Sequence, residues 1–501
     1  MTYSTFKKVF FSVTATLIAL MPLSASAKWL RAETDAFVVY SNINEPRTKQ
    51  KAQELQKFDQ VLRTLFKPGK IRSKRKLDVY LFKSAADIKK IFPNVSSDTY
   101  GAYAARPGAI IAASYGFSIG RADGLDQSSY ILFHEYAHHY MRQHFSRPFP
   151  LWYVEGFAEF VATTKIEKDR AIIGWPAKNR LDVLQNSKFI PIEQFLVARP
   201  AEARRLEAAK FYAQSWLAVH YFYSNPEREG QLLQYLNGFR SKQEKNTEFF
   251  IEVIGEDLRK FQKKLDVYLR RQISAFSIPF LEGSQPAIKI TRLSKIEQAL
   301  LIPNARLRIG VKREEAQDIW RRLEKISPSS NDKDKLALLR TKAHTASWLN
   351  DFDQSISLLD SALKINSEDL QTLHLSGLTR VLKARRSSLD TKSALHQEAR
   401  TYFDRALKVD PTHYSTLLHR AETTPSNDAR LNYLLQSWQF APQVELISLR
   451  LARALIEANR LDDALKILQP LLYQPHRASN NKSVQDLVLA IQKLKSDENL
   501  K

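Results

Sequence analysis

The 501-residue chain contains no cysteine. That absence excludes a disulfide framework, a thiol nucleophile, an iron–sulfur cluster and any thiolate zinc site. A transition metal bound here has only His, Asp and Glu side chains to hold it. Glycine is scarce as well, at 14 residues. Neither a Gly-rich phosphate loop nor a Gly-x-Ser-x-Gly elbow is present, so phosphate cradling and serine-hydrolase chemistry have no motif. Beyond the first segment no apolar run approaches the roughly 20 residues that a bilayer span needs. Acids are in the minority, 53 against 76 Lys and Arg, which gives a formal net charge of +23.

The first residues read as an address. Lys7 and Lys8 precede the apolar run Val9–Leu20, Pro22 follows, and Ala25-Ser26-Ala27 supplies the small residues of a signal-peptidase site. An N-terminal membrane anchor is the alternative, but the apolar run is short for one. The expectation is therefore a signal peptide over 1–27 and an exported protein, periplasmic or secreted. Lys28 at the cut, in place of a lipid-accepting cysteine, argues against a lipoprotein. Export also makes nucleic acid an unexpected partner despite the basic excess. The densest basic run, Lys67 to Lys76, holds six basic residues, no acid and no aromatic residue for base stacking. It reads as a solvated loop between a helix and a strand, and weak contact with anionic envelope surfaces is its other reading.

Periodicity orders the rest. Phe37–Tyr40 and Leu77–Phe82 read as strands, with a helix between them over Lys49–Phe66 that places Leu55, Phe58, Leu62 and Phe66 on one face. Ser84–Phe92 reads as a short helix ended by Pro93. Tyr100–Ala104 and Ala109–Ser114 read as strands joined by the turn residues Arg106-Pro107-Gly108. Helices are expected over Ser128–Phe145 and Trp152–Thr163, and helices alone thereafter, an α+β pattern. From about residue 310 an internal repeat appears: Ala362-Leu363-Lys364-Ile365-Asn366 recurs as Ala406-Leu407-Lys408-Val409-Asp410. Ala399 and Phe403 precede Ala406 at the spacing of a tetratricopeptide second helix. Gly377 and Ala452 fit small positions of first helices, and Ala464 with Leu468 fits another second helix. Ser367 stands where proline is usual, and Lys383–His396 reads as an insertion within one repeat. Generic helical hairpins are the alternative; both readings give a solenoid with a concave surface.

The chemistry concentrates in His134-Glu135-Tyr136-Ala137-His138. Two histidines at i and i+4 lie on one side of a helix, where both imidazoles can reach one ion. Glu135, one residue on, is aimed beside the ion, where it can hold and deprotonate water. Catalytic zinc takes three protein ligands and leaves one position open, so a third ligand must come from another element. The next helix offers Glu155 and Glu159, again at i and i+4 within an apolar frame of Trp152, Phe157 and Phe160. Two buried acids on one face need a cation and imidazole N–H groups. Glu155 is accordingly expected on Zn2+ and Glu159 behind a liganding His, accepting its N–H. His139 points about 100° away around the helix and is expected behind the site or at the surface. His144 and His220 read as core or surface histidines.

HExxH followed by a glutamate on the next helix resembles the gluzincin metallopeptidases, and Trp-x-x-Glu-Gly-Phe-Ala-Glu from Trp152 is similar to the aminopeptidase N group. Sixteen residues separate His138 from Glu155, slightly fewer than in those enzymes. The resemblance covers roughly residues 29–275 and implies a small sheet with zinc-binding helices. It also implies an oxyanion-donating Tyr212 at the start of a helix, 57 residues after Glu155, where a core aromatic is the alternative. One departure is the lack of an acidic amine-recognition motif like Gly-Ala-Met-Glu-Asn. Ala109–Ser114 has no carboxylate, is expected to pair with an extended substrate as an edge strand, and favours an endopeptidase. The expected organisation is a signal peptide over 1–27, a gluzincin-like zinc peptidase domain over 28–280 and a linker over 281–315. An all-α tetratricopeptide-like solenoid over 316–490, able to bind a protein partner, and a polar tail over 491–501 follow. Glu135 and Tyr212 are the expected catalytic residues, with peptide or protein as substrate. Two other readings stand beside this one: an envelope scaffold working through its repeats, with a zinc domain that does not turn over, and a zinc hydrolase acting on a non-peptide envelope bond.

Overall fold

The computed structural model describes residues 29–66, 76–96, 99–117, 119–120, 124–239, 243–271, 273–280, 288–327, 329–474 and 481–498. The expected signal peptide and Lys67 to Arg75 of the basic run lie outside the described residues. Among the described residues no helix is long and apolar enough to cross a membrane.

Strands β1 (Leu30–Glu33), β2 (Phe37–Ser41), β3 (Leu77–Phe82), β4 (Gly101–Ala105) and β5 (Ile110–Tyr115) come first, with helix α1 (Glu45–Phe66) between β2 and β3. Ser84–Phe92, expected as a short helix, forms a 3-10 turn over Ala85–Lys90. Helices α2 (Gln127–His144) and α3 (Leu151–Ala162) follow, then the short strands β6 (Lys165–Ile166) and β7 (Arg170–Ile173). Seven helices come next: α4 (Lys178–Gln185), α5 (Ile192–Val197), α6 (Pro200–Arg205), α7 (Ala208–Tyr223), α8 (Pro226–Gly238), α9 (Gln243–Ile254) and α10 (Leu258–Leu269). Strands β8 (Phe276–Pro279) and β9 (Lys289–Arg292) close this part of the chain. The expectation of helices alone after residue 163 is thus corrected. β6, β7 and β8 form a second, three-stranded sheet, and strands of two to four residues are too short to show a period.

The main sheet runs β4-β5-β3-β2-β1-β9. β2, β3 and β5 are parallel to one another, and β4, β1 and β9 pair antiparallel. Leu77, Val79 and Leu81 of β3 join the core shared with α1 and α2, while Tyr80 and Phe82 join a second cluster on the opposite face. Burial on both faces is why this strand reads as a nearly continuous apolar run. β5 lies between β3 and β4, so the expectation that 109–114 is an edge strand is corrected. The Arg106-Pro107-Gly108 turn folds β4 back onto it, and β4 holds the edge.

The remaining chain is helical: α11 (Lys295–Ile309), α12 (Arg313–Glu324), α13 (Asp332–Leu349), α14 (Phe352–Ile365), α15 (Leu370–Ala384) and α16 (Leu389–Val409). It continues through α17 (Tyr414–Glu422), α18 (Asn427–Phe440), α19 (Glu445–Glu457), α20 (Leu461–Leu472) and α21 (Asn481–Glu498). From α13 onward the helices pair as tetratricopeptide-like hairpins, each stacked on the next. Gly377 of α15 shows how the small positions work: a Cβ there would lie 2.4 Å from the Phe403 ring of α16. The expected insertion Lys383–His396 spans the end of α15, a short connection and a lengthened start of α16, where Leu389 is 83% exposed. The expected polar tail begins within α21, whose Ile491 is fully buried.

Residues 288–309, the described part of the span 281–315 up to the end of α11 and expected as a linker, return to the sheet instead. β9 pairs with β1, and Leu301 and Ala305 of α11 pack on the face that carries Tyr80 and Phe82. Arg308 reaches Asp78 of β3 at 2.9 Å, and Arg306 donates to the Ile91 carbonyl at 2.8 Å. Farther along, the Tyr414 hydroxyl donates to the Arg106 carbonyl, and Tyr473 stacks edge-on against Phe239 at 5.3 Å. The last helices, from α17 onward, therefore share one apolar core with the first part of the chain, while the earlier hairpins have clusters of their own. A fragment ending at residue 280 would uncover one sheet face and the outer edge of β1. Burial of Leu301 alone contributes about 1.5–3 kcal/mol. Such a fragment should aggregate or melt well below the full chain in size-exclusion and thermal-unfolding measurements; a monodisperse fragment with the melting temperature of the full chain would contradict this.

Candidate metal centre

Helix α2 is fixed at its start by Asp126, whose side chain accepts from the Ser128 N–H at 3.2 Å and pairs with the buried ammonium of Lys51. Farther along, Phe133 stacks on Phe58 of α1 with centroids 4.0 Å apart, and the Tyr136 hydroxyl donates to Asp59 at 2.7 Å. Those contacts hold one side of α2 against α1 and turn His134 and His138 toward α3. Pro150, extended at φ −62° and ψ 145°, starts α3 directly before Leu151. Gly156 then lets α3 and α7 touch: a Cβ there would stand 2.2 Å from the Ser215 carbonyl oxygen. This contact brings Tyr212 of α7 up to Glu155.

His134, His138 and Glu155 converge. The two Nε2 atoms are 3.1 Å apart, and Glu155 Oε2 lies 3.4 Å from that of His138 and 3.7 Å from that of His134. Tetrahedral zinc with bonds of about 2.0–2.1 Å separates its donors by about 3.3–3.4 Å. The observed triangle matches that spacing, and one neutral-nitrogen, carboxylate-oxygen donor set of this kind suits zinc. Among the described residues this is the group of three His, Asp or Glu side chains close enough to hold one ion. Glu135 borders the same cavity as His138.

Glu159 sits one turn beyond Glu155 and is 2% exposed. Its Oε1 lies 3.3 Å from His134 Nδ1, and Arg180 of α4 grips both its oxygens, Nε at 2.7 Å and Nη2 at 2.8 Å. The Tyr130 hydroxyl donates to it as well. Burial alone would raise this carboxyl, but the Arg180 charge and the His134 bond hold it far below the usual carboxylate range. An ionised Glu159 orients His134 with Nδ1–H toward itself and Nε2 toward the centre. Without metal, burial works against a charged His134, yet Glu159, Glu155 and Glu135 raise its pKa to about 9. Burial and the charges of Glu155 and Glu159 keep the Tyr212 hydroxyl protonated far into the alkaline range, and it hydrogen-bonds Glu155.

The sequence-predicted residues other than these fall away from the centre. His139, expected behind the site or at the surface, is buried and paired through Nδ1 with the Tyr103 hydroxyl of β4 at 2.9 Å. Burial and the neighbouring His144 lower its pKa to about 3, so it is neutral. His220 is a core histidine between the Gly174 carbonyl and the Tyr268 hydroxyl, each at 2.9 Å. Tyr212 lies in the second turn of α7 and not at its first residue. Arg180 and Tyr130 escaped the sequence reading. Tyr130 had a signal, four residues before His134 on the same helical face; Arg180 had none.

No family model matches this chain, and no curated protein matches it either. Among solved structures, it is similar to TTC0263, a thermophilic TPR protein in Thermus thermophilus, at 17% identity and a TM-score of 0.29, covering 39% of this chain and 92% of that one. It is also similar to human IFIT1, solved as a dimer with PPP-AAAA, at 14% identity and a TM-score of 0.26, covering 65% of this chain and 77% of that one. Neither similarity bears on the centre, whose description rests on its own geometry.

Two outcomes follow for metal binding. Glu159→Gln should weaken zinc binding about 10–100-fold by loosening His134, read by competition with a chromophoric chelator; unchanged affinity would sever Glu159 from the centre. Metal must displace the proton that His134 carries below about pH 9, so apparent affinity should rise about tenfold per pH unit toward that value and then level. Calorimetry in buffers of different ionisation enthalpy should record about one proton released per zinc at pH 7; no release would contradict the raised His134.

Proposed function

We propose that the chain is a zinc-dependent hydrolase of peptide bonds that works outside the cytoplasm. The observation that carries this reading is the donor triangle of His134, His138 and Glu155, spaced for tetrahedral zinc, with Glu135 on the adjoining cavity wall. Zinc held by those three residues supplies Lewis acidity and brings the pKa of water toward about 7.

This chain's own groups do the remaining work. Glu135 takes the proton from the attacking water and passes it to the departing nitrogen. Tyr212, held protonated by burial beside two acids, donates to the carbonyl oxygen as negative charge develops there. Glu159, clamped by Arg180, keeps His134 in one tautomer and one orientation throughout. The outer edge of β4, which no strand pairs among the described residues and which carries Tyr103 beside the cavity, offers backbone groups to an extended chain, in keeping with an endopeptidase.

A second role is supported by a separate cavity of about 1200 Å3 between the sheet and the first hairpins, with Arg106, Arg308, Trp348 and His374 in its walls. In this reading the tetratricopeptide-like helices also receive a protein partner there. The decisive variant is Glu135→Gln. It should lower the cleavage rate of a peptide library by about 10²–10⁴-fold while one zinc per chain remains by elemental analysis. Undiminished cleavage would overturn the mechanism, and zinc binding by the wild type with no peptide cleaved would leave the partner-binding role and hydrolysis of a non-peptide bond.

A further inference from the structure

The last two hairpins, α17 with α18 and α19 with α20, do more than pack against the metal-binding region. Beside Glu135 and His138 lies a cavity of about 170 Å3 with two walls from different parts of the sequence. Met141, Phe145, Phe149 and Val154 form one wall, from α2, α3 and the loop between them. Trp438 of α18, together with Ile467, Pro470 and Leu471 of α20, forms the other. Phe145, Val154, Trp438 and Ile467 are each only partly buried, so apolar surface remains turned into the space between the walls.

The size and the chemistry of this space are both specific. The volume is below the roughly 300–1000 Å3 of pockets that take a whole drug-sized ligand, and suits one large side chain. Its lining is mostly aliphatic and aromatic; Glu135 and His138 border it, as do the basic side chains of Arg142 and Arg147. An aliphatic or aromatic side chain placed there would bury its surface at about 25 cal/mol per Å2 while the backbone next to it reached Glu135. A lysine or arginine side chain would lose its hydration there and face the like charge of Arg142 and Arg147. The far wall is held in place by Tyr473, whose ring meets Phe239 at the end of α8.

We propose that this cavity is the subsite for a large apolar side chain adjoining the cleaved bond, and that the repeat helices α18 and α20 set its depth. The proposal rests on the hydrolase reading above and gives it a substrate class: chains with leucine, isoleucine, methionine or phenylalanine beside the scissile bond. It also makes the repeats part of the substrate site.

The test uses the full-length zinc-loaded chain and two variants of opposite sign, Ile467→Trp, which fills the cavity, and Ile467→Ala, which deepens it. The first readout is the cleavage profile of a peptide library. The second, independent of turnover, is binding of acetyl-leucinamide and acetyl-alaninamide to metal-free protein by saturation-transfer NMR. Wild type should prefer large apolar residues beside the cut and bind the leucine amide over the alanine amide. Ile467→Trp should reduce both preferences at least tenfold, and Ile467→Ala should shift the profile toward phenylalanine. Cleavage whose profile neither variant changes overturns the subsite and leaves the hydrolase reading intact. Leucinamide binding lost in Ile467→Trp, with no cleavage by the wild type, supports the subsite and overturns the hydrolase reading. Neither cleavage nor binding overturns both. Because Ile467→Ala only removes atoms at a partly buried position, it keeps the test valid if the larger residue disturbs folding.

Discussion

Two carboxylates on one buried helical face are the constraint around which this molecule is arranged. Glu155 and Glu159 stand a turn apart on α3, 1% and 2% exposed. Negative charge at that depth is tolerable only where positive charge and hydrogen-bond donors meet it. Glu159 has both from this chain, in Arg180, Tyr130 and the imidazole of His134. Glu155 is placed against two imidazole nitrogens and the Tyr212 hydroxyl, an arrangement that a divalent cation would complete. Much of the architecture serves those two residues. The Asp126 cap and the Phe58 stack orient α2, Gly156 admits α7, and α4 delivers the guanidinium.

The helical repeats are fastened to this core at both ends. Near the start, α11 lies on the second face of the sheet, with Arg306 and Arg308 anchored in it. Near the end, α18 and α20 approach the metal-binding helices from the other side of the cavity. A solenoid held at two places resists the bending that a freely hinged array allows, because each repeat ordinarily contacts only its neighbours. The spacing between the cavity walls is therefore set by the Tyr473–Phe239 contact together with the run of hairpins between the two anchors.

How much of this was legible in the sequence depends on the range over which each feature is encoded. Periodic features were readable. The helix over 127–144, the strand Leu77–Phe82, and the pairing of His134 with His138 and of Glu155 with Glu159 each follow from repeats of two, or of three and four, along a single element. Features set by partners far along the chain were not. Nothing distinguishes Arg180 from the other basic residues, because its role arises only when α4 packs beside α3. β9 is four residues long, and its pairing with β1 leaves no local trace. β5 was readable as a strand but not as an interior one, since sheet order depends on which neighbours close around it. The alignment of α18 and α20 with Glu135 is tertiary throughout.

The pairing of β1 with β9 has a further consequence in time. Thr291 reaches the Arg31 carbonyl across 260 residues of chain. At about 5–20 residues per second, synthesis of that stretch takes on the order of 10–50 s. For that interval the outer edge of β1 has no strand to pair with, and an open edge is a template for any other extended chain nearby. The sheet that supports the metal-binding helices thus closes late, after all of those helices have been made. A growing chain of this protein depends on whatever shields that edge until residue 292 arrives.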